Sequence, residues 1–147
     1  MRIETKPYGT LDIEEQQLLT FPRGLLGFED HIHWALLDSA QPPFFWLQSL
    51  DDKNLAFVLL APAFFRPDYQ LELSDMDREV LGQPAEADLL NFAIVTIPED
   101  QNRMTANLQG PLVINRRARI GRQTIQASPQ WRVRHLILDE LAATGAR

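Results

Sequence analysis

The chain has no cysteine and three histidines among its 147 residues. Without cysteine it can form no disulfide bond, no thiolate nucleophile and no zinc site built on sulfur. No apolar run approaches the roughly 20 residues of a transmembrane helix, and residues 1–6 lack the apolar stretch of a secretory signal. We therefore expect a cytoplasmic protein that does not enter a membrane and that carries no cofactor.

Charged residues of both signs are present, but they are unevenly distributed. Residues 1–110 hold 7 basic and 18 acidic side chains, whereas residues 111–147 hold 7 arginines and 2 acids. In a chain that is 45% hydrophobic and 23% charged, this composition indicates one globular domain with a sizeable core. An acidic body is expected to repel nucleic acid phosphates and to attract a basic protein.

Short apolar runs separated by turn residues predict a domain rich in β-strands. Two nearly continuous apolar runs, 55–61 and 89–97, end at prolines and are typical of central strands. Residues 44–49 are bulky on both alternating faces, which predicts a strand with protein on both sides. Further strands are predicted over residues 2–5, 10–13, 18–21, 34–37, 69–73, 105–108, 112–115 and 119–125.

The gaps between these runs are mostly too short for crossover helices, so neighbouring strands are expected to run antiparallel. Ser74 can cap a helix over residues 75–81, and Gly82 supplies its stop. A second helix is predicted to begin at Ser128 and Pro129, because apolar residues then recur at helical spacing. The predicted fold is all-β and mainly antiparallel, a compact β-barrel-like or sandwich domain with one short helix and a candidate C-terminal helix.

The residues offer little for catalysis. His31 and His33 lie on one side of an extended segment next to Glu29 and Asp30, but no third metal ligand is evident, so surface polar residues are the favoured interpretation. The four serines match no nucleophile motif, and the glycines of residues 24–27 lack the lysine of a phosphate-binding loop. We therefore do not expect an enzyme or a bound metal.

A basic cluster gives the best case for a nucleic acid partner. Its members are Arg116, Arg117, Arg119 and Arg122. The alternative function is accordingly a direct RNA-binding β-barrel that follows a phosphate backbone with these arginines. The cluster lacks interleaved stacking aromatics and belongs to an acidic protein, which favours a solvated face or pairing with the acidic body.

Two turn regions are better suited to protein recognition. Residues 21–29 carry several large apolar side chains, of which Phe21, Leu25 and Leu26 are expected to plug the end of a barrel. Residues 51–54, Asp-Asp-Lys-Asn, form a predicted hairpin tip between two strong strands. The acids of this tip are either a plain polar turn or a rigid surface for a basic partner.

Seven segments, taken together in their order and spacing, are similar to one known family. They are TKPYG (5–9), FPRGLLGFE (21–29), PFFWLQSL (43–50), AFV (56–58), FAIVT (92–96), MTANLQGPLVIN (104–115) and GRQ (121–123). In these segments the chain resembles the flagellar assembly factor FliW. The likeness fades after about residue 126, which divides the chain into a FliW-like barrel domain over residues 1–127 and a C-terminal appendage over residues 128–147.

The resemblance implies a non-enzymatic protein that works through two partners. Members of this family bind the basic RNA-binding regulator CsrA, prevent it from repressing translation of flagellin messenger RNA, and bind flagellin itself. Unexported flagellin would occupy the factor, and the factor freed by export would capture CsrA. Such a switch needs only mass action between two binding equilibria. It involves no direct contact with nucleic acid.

The expected contacts with CsrA lie in three places along the chain. They are Phe28, Glu29 and Asp30 in the first loop, Asp51, Asp52 and Asn54 at the hairpin tip, and Asn107 before the Gly110-Pro111 turn. The acids would supply steering and charge-assisted hydrogen bonds, Phe28 an apolar anchor, and the two asparagines hydrogen bonds to backbone groups. Flagellin is expected at an apolar groove or a strand edge.

Overall fold

The computed structural model describes residues 1–144, which form eleven strands and two α-helices. The strands are β1 (Arg2–Thr5), β2 (Gly9–Asp12), β3 (Leu18–Thr20), β4 (His33–Asp38), β5 (Phe45–Ser49), β6 (Ala56–Leu60), β7 (Leu89–Thr96), β8 (Thr105–Ala106), β9 (Leu112–Asn115), β10 (Ile120–Gln123) and β11 (His135–Leu136). The helices are α1 (Asp75–Val80) and α2 (Ile137–Ala143).

Seven strands close into a barrel in the order β7-β6-β5-β4-β3-β10-β9, and the ring is completed because β9 also pairs with β7. The pairings within the ring are antiparallel apart from β3 with β10, which run parallel with Ile120 opposite Thr20. β8 and β11 extend the sheet from the second half of β7. The all-β, mainly antiparallel prediction is confirmed, and its barrel alternative is the one adopted.

The interior of the barrel is filled by alternate residues of its strands, because successive side chains point to opposite faces. Trp34, Leu47 and Leu59 are fully buried there, together with Leu112 and Ile114. Aromatic rings meet edge to face across this interior, Phe45 with Phe92 at 5.4 Å between ring centroids. The apolar runs predicted as central strands contribute Leu59 and Phe92 to this core, with Phe57 and Ile94 packed partly buried against it.

The outer face of the barrel carries two further hydrophobic clusters. The β1–β2 hairpin covers β4 and β5, with Ile3 packed near Ala35 and Leu37. The chain after residue 127 covers β7 and β8, where Trp131 and Ile137 are buried. Strand β5 therefore has protein packed on both faces, as its bulky pattern predicted, although Trp46 on the outer face stays half-buried.

Helix α1 follows its sequence signals closely. Ser74 accepts a hydrogen bond from the Asp77 backbone N–H at 3.0 Å, and the Asp77 side chain accepts one from the Ser74 N–H at 2.9 Å. This reciprocal pair is a capping box. The helix ends at Val80, Leu81 is its C-cap, and Gly82 follows with a φ of +79°.

The strand predicted over residues 69–73 does not form. The Tyr69 ring packs against Trp131 at 4.6 Å and its hydroxyl donates to the Leu108 carbonyl at 2.8 Å. The Glu72 N–H and C=O are both satisfied by the side-chain amide of Gln126, at 2.8 and 2.9 Å. One side chain thus replaces a strand partner, so the alternating pattern reflects packing of Tyr69 rather than a sheet.

The start predicted for the C-terminal helix is also wrong. Residues 128–134 are turn and extended chain, because the Arg132 carbonyl accepts hydrogen bonds from the N–H groups of Leu108 and Gln109 at 3.0 and 3.2 Å. β11 then pairs with β8, and the helix begins at Ile137. Residues 145–147 of the predicted appendage lie outside the described part of the chain.

Within residues 1–144, none of the helices has the length and apolar character needed to cross a membrane.

Candidate functional site

The predicted contact residues gather at one end of the barrel, called the mouth below and formed by residues 21–33 and 49–55. A tight turn closes it: the Phe28 N–H donates to the Leu25 carbonyl at 2.7 Å. Gly24 has a φ of +61°, and a Cβ there would collide with the carbonyls of Phe28 and Glu29. The turn therefore depends on glycine at residue 24.

Some apolar residues of this loop are buried and close the end of the barrel, and others are exposed on the surface. Phe21 and Leu25 are buried at 0% and 2% exposure and close the barrel as predicted, whereas Leu26 is 61% exposed. The prediction that Leu26 belongs to the plug is wrong, because its backbone N–H is held by the Gln123 side chain at 2.9 Å and its own side chain turns outward.

Phe28 lies half-buried between the loop and the barrel wall. Its ring meets Phe57 edge to face at 5.5 Å and His31 at 5.8 Å. Phe28 therefore packs against both the loop and the barrel wall, and its half-buried ring leaves part of an apolar surface exposed.

The hairpin tip, residues 51–54, is held from within. The Ser49 hydroxyl accepts hydrogen bonds from the N–H groups of Asp51 and Asp52, both at 3.1 Å. The Asp52 carboxylate accepts one from the Asn54 N–H at 2.9 Å. These hydrogen bonds hold the backbone of the tip, and its side chains are exposed at the mouth.

Hydrogen bonds join this tip to the first loop. The Asp51 carboxylate accepts from the N–H groups of Ile32 and His33 at 3.1 and 3.2 Å. Four exposed acids are thereby brought onto the two joined loops of the mouth. They are Glu29, Asp30, Asp51 and Asp52, and Asn54 beside them is also exposed.

Asn107 serves a different purpose from the other predicted residues. Its side-chain oxygen accepts hydrogen bonds from the N–H groups of Gln109 and Gly110 at 3.0 and 2.9 Å, which builds the turn before β9. Together with Phe28 and Phe57 it lines a cavity of about 310 Å³ next to the mouth. Asn107 is therefore a turn residue that also borders the candidate site.

Several residues of this cavity were missed from the sequence. Phe57 and Ile94 form part of its wall, and Val133 and Arg134 form its far side. Phe57 could have been found, since it follows the hairpin tip at an inward-facing position of β6. Val133 and Arg134 gave no signal, because they reach the cavity through the pairing of β11 with β8.

The basic cluster is largely neutralised by carboxylates of the same chain. Arg122 Nε lies 2.6 Å from Asp77, Arg119 lies 3.3 Å from Glu15, and Arg116 lies 3.8 Å from Asp88. Burial alone would raise the pKa of Asp77, but hydrogen bonds from Arg122 and Ser74 outweigh it and hold that pKa below its ordinary value. This arrangement favours pairing with the acidic body over a phosphate-binding surface.

The surroundings of His31 and His33 do not resemble those of metal ligands. His31 Nδ1 lies 3.2 Å from the Ser49 hydroxyl, and His33 is exposed. Among the described residues, no three histidine, aspartate or glutamate side chains converge on a position where they could hold a metal ion.

Comparison with known proteins identifies the family. The family model for FliW protein matches residues 2–137. The chain is 45% identical over 145 residues to flagellar assembly factor FliW of Treponema denticola, covering 99% of each sequence. It is 44% identical over 147 residues to flagellar assembly factor FliW of Treponema pallidum, covering 100% of this chain and 98% of that relative.

A solved structure gives the same result. The crystal structure of the flagellar assembly factor FliW superposes with a TM-score of 0.86 at 34% identity, over 93% of this chain and 96% of the other. Sequence similarity over nearly the whole length and the shared fold agree with the resemblance found in the seven segments. The chain therefore belongs to the FliW family of flagellar assembly factors.

Proposed function

We propose that this flagellar assembly factor acts by occupancy, as an antagonist that binds the translational regulator CsrA at the mouth and relieves repression of flagellin translation. Flagellin is the competing partner, so that the amount of unexported flagellin sets how much of the factor is available to CsrA. The chain makes and breaks no covalent bond in this scheme, and it works in the cytoplasm, where both partners are made.

One observation carries this proposal: four exposed acids lie on two loops that hydrogen bonds join at the mouth, and the first of these loops also carries the half-buried ring of Phe28. A pre-organised surface loses little conformational entropy on binding. Clustered carboxylates steer a basic protein toward the mouth and form charge-assisted hydrogen bonds with its cations.

We propose that CsrA is held beside its RNA-binding surface, so that the acids of the mouth and a changed conformation of the regulator weaken RNA binding. Acids next to a bound RNA would repel its phosphates. This geometry needs no contact between this chain and RNA.

Calorimetry with purified CsrA and purified flagellin, first separately and then in competition, tests the proposal. We expect saturable binding to each partner and displacement of CsrA by flagellin. In a parallel gel-shift assay the chain alone should leave labelled flagellin messenger RNA unshifted, and should release that RNA from CsrA. Absence of heat with both proteins, or a direct shift with a steep salt dependence, would show that the function lies elsewhere.

A further inference from the structure

The outer face of β5 and β6 is left partly open between the two outer hydrophobic clusters. Phe44, Trp46 and Val58 point outward here and are half-buried. Together with Met104, Ile97 and Leu138 they line a cleft of about 270 Å³, called the outer cleft below. It shares no lining residue with the mouth or with the cavity beside it.

The apolar character of the outer cleft continues onto its edge. Two lining residues are exposed, Ile97 at 46% and Leu138 at 37%. Large aliphatic side chains that border an aromatic floor form a continuous apolar surface, and such surfaces mark sites of association.

Charged residues around this apolar surface are mostly acidic. Glu99 and Asp100 lie between the lining residues Ile97 and Gln101 in the sequence, and Asp139 follows Leu138. All three acids are exposed, as is one cation near them in the sequence, Arg103. A partner that brings lysine or arginine to this edge would be attracted, and an acidic one would be repelled.

The strands beneath the cleft leave no backbone edge for a partner strand. Trp46 lies opposite Leu37 on β4 and opposite Val58 on β6, and Val58 in turn lies opposite Val95 on β7. An occupant meets side chains alone and must satisfy its own backbone hydrogen bonds, as a helix does. A cleft of about 270 Å³ has room for apolar side chains that project from a helix.

We propose that the outer cleft docks a cationic amphipathic helix of a partner protein. Its apolar side chains lie on Phe44, Trp46 and Val58, and its flanking lysines and arginines face the acids of the edge. This docking surface goes beyond the function proposed for the mouth and does not depend on it.

A synthetic helical peptide tests this inference. It carries leucine at positions i, i+3, i+4 and i+7, lysine on both flanks and a fluorescent label, and its anisotropy is followed as the full chain is added. We expect saturable binding that the double variant Ile97→Ser, Leu138→Ser weakens by about tenfold or more, and that Asp139→Lys weakens by about threefold.

Matched controls separate this surface from others. Ile125→Ser removes an apolar side chain that is 59% exposed outside the outer cleft, and it should leave peptide binding unchanged. The double variant Asp51→Asn, Asp52→Asn, which alters the mouth, should also bind the peptide normally. A failure at the outer cleft can therefore be told apart from a failure of the proposed function.

Four results would overturn the inference. The first is that the peptide does not bind saturably, and the second is that a peptide with glutamate in place of lysine binds equally well. The third is that the Ile97→Ser, Leu138→Ser variant binds the peptide as tightly as the natural chain. The fourth is that the chain forms a dimer in sedimentation and that this variant abolishes the dimer. The last result would make a second copy of the chain the occupant.

Discussion

At the scale of single residues, Gln48 shows how one buried amide supports the hairpin tip. Its side-chain oxygen accepts from the Lys6 N–H at 2.8 Å. The two N–H groups of its Nε2 are shared among the carbonyls of Ser49, Lys53 and Leu55, which lie 2.9 to 3.2 Å from the nitrogen. The side chain is fully buried. Gln48 thus joins the first hairpin, strand β5 and the tip.

We predict that Gln48→Met lowers the free energy of unfolding by about 2–4 kcal/mol, because it leaves buried backbone groups without partners. Urea denaturation followed by circular dichroism measures this loss. Gln70→Met, at an exposed position, is the control and should change stability little. Equal stability of the two variants would contradict the role given to the Gln48 amide.

A second residue-scale prediction concerns the acids of the mouth. Asp51→Asn with Asp52→Asn keeps the hydrogen-bond acceptors of the tip and removes two charges. We expect the affinity for CsrA to fall by about three- to tenfold, with a shallower dependence on salt and nearly unchanged melting temperature. Calorimetry at two salt concentrations provides the measurement.

The matched control removes two exposed acids of a different region, by Glu79→Gln with Glu86→Gln. It has the same net charge as the mouth variant, so overall charge cannot explain a difference between them. If both variants lose the same affinity, the surface that CsrA contacts is not the mouth.

At the scale of elements, the ion pair between α1 and β10 makes stability depend on pH. Asp77 is buried, and its pKa is held below the ordinary value in the folded chain. Its contribution is therefore fully present above the unfolded pKa of about 3.9 and is lost as the pH falls through the lower folded pKa.

We predict that Asp77→Asn destabilises the chain by about 1.5–3 kcal/mol at neutral pH, since Arg122 loses its charged partner. The difference from the natural chain should shrink on acidification below about pH 4. Denaturation at a series of pH values measures it, with exposed Asp75→Asn as the control on the same helix. A difference that stays constant down to pH 2 would refute the linkage.

The segment after residue 127 is tied to the barrel by Trp131. The Arg66 guanidinium lies over the Trp131 ring at 4.8 Å, and Tyr69 meets it edge to face. Glu140 of α2 accepts hydrogen bonds from Arg66 at 2.7 Å and from His135 at 2.9 Å. These contacts bind the segment through both its apolar and its charged groups.

We expect Trp131→Ala to cost about 3–5 kcal/mol of stability, as is typical for the loss of a buried aromatic. Limited proteolysis should then cut residues 128–144 first. Val133→Ala, at a position that is 53% exposed, serves as the comparison. If Trp131→Ala is cut no faster than Val133→Ala, the segment is held by other contacts.

These elements show which parts of the fold could be predicted from the sequence. β6 and β7 were predicted nearly to their ends, because strands covered on both faces have continuous apolar runs. The strand over residues 69–73 and the helix start at Ser128 were wrong for one reason. Their local signals were overridden by distant partners, Gln126 for Glu72 and Leu108 for Arg132.

In the candidate site, too, features set by local sequence could be predicted, and features set by distant contacts could not. The acids of residues 51–54 could be predicted as a surface, because a short turn between two strong strands has to project outward. The link from Asp51 to the backbone of Ile32 and His33 could not, nor could the approach of Arg134 to Phe28 across a cavity. Both depend on the closure of the barrel.

At the scale of the whole molecule, folding brings the basic C-terminal part of the sequence into ion pairs with acids from the rest of the chain. Arginines of the last quarter pair with acids from residues 15, 77 and 88. The acids of the mouth lie outside these pairs, which is why that surface stays available to a basic partner.

The number of paired residues between neighbouring strands differs around the barrel. β4 and β5 are paired over five residues each, whereas β3 and β10 share a single pair, Thr20 with Ile120. We predict that the Thr20 amide, which donates to the Arg119 carbonyl at 3.0 Å, exchanges its hydrogen about tenfold or more faster than the amides of β5. Hydrogen exchange followed by NMR tests this, and equal protection would show that the ring opens as one unit.

The hairpin of β9 and β10 fills the gap between β7 and β3. During synthesis, therefore, a nascent chain that has already made β3 to β7 carries two unpaired strand edges until residues 112–123 leave the ribosome. Such edges invite pairing with neighbouring chains. Slow translation of this last stretch would lengthen the time in which newly made copies can aggregate.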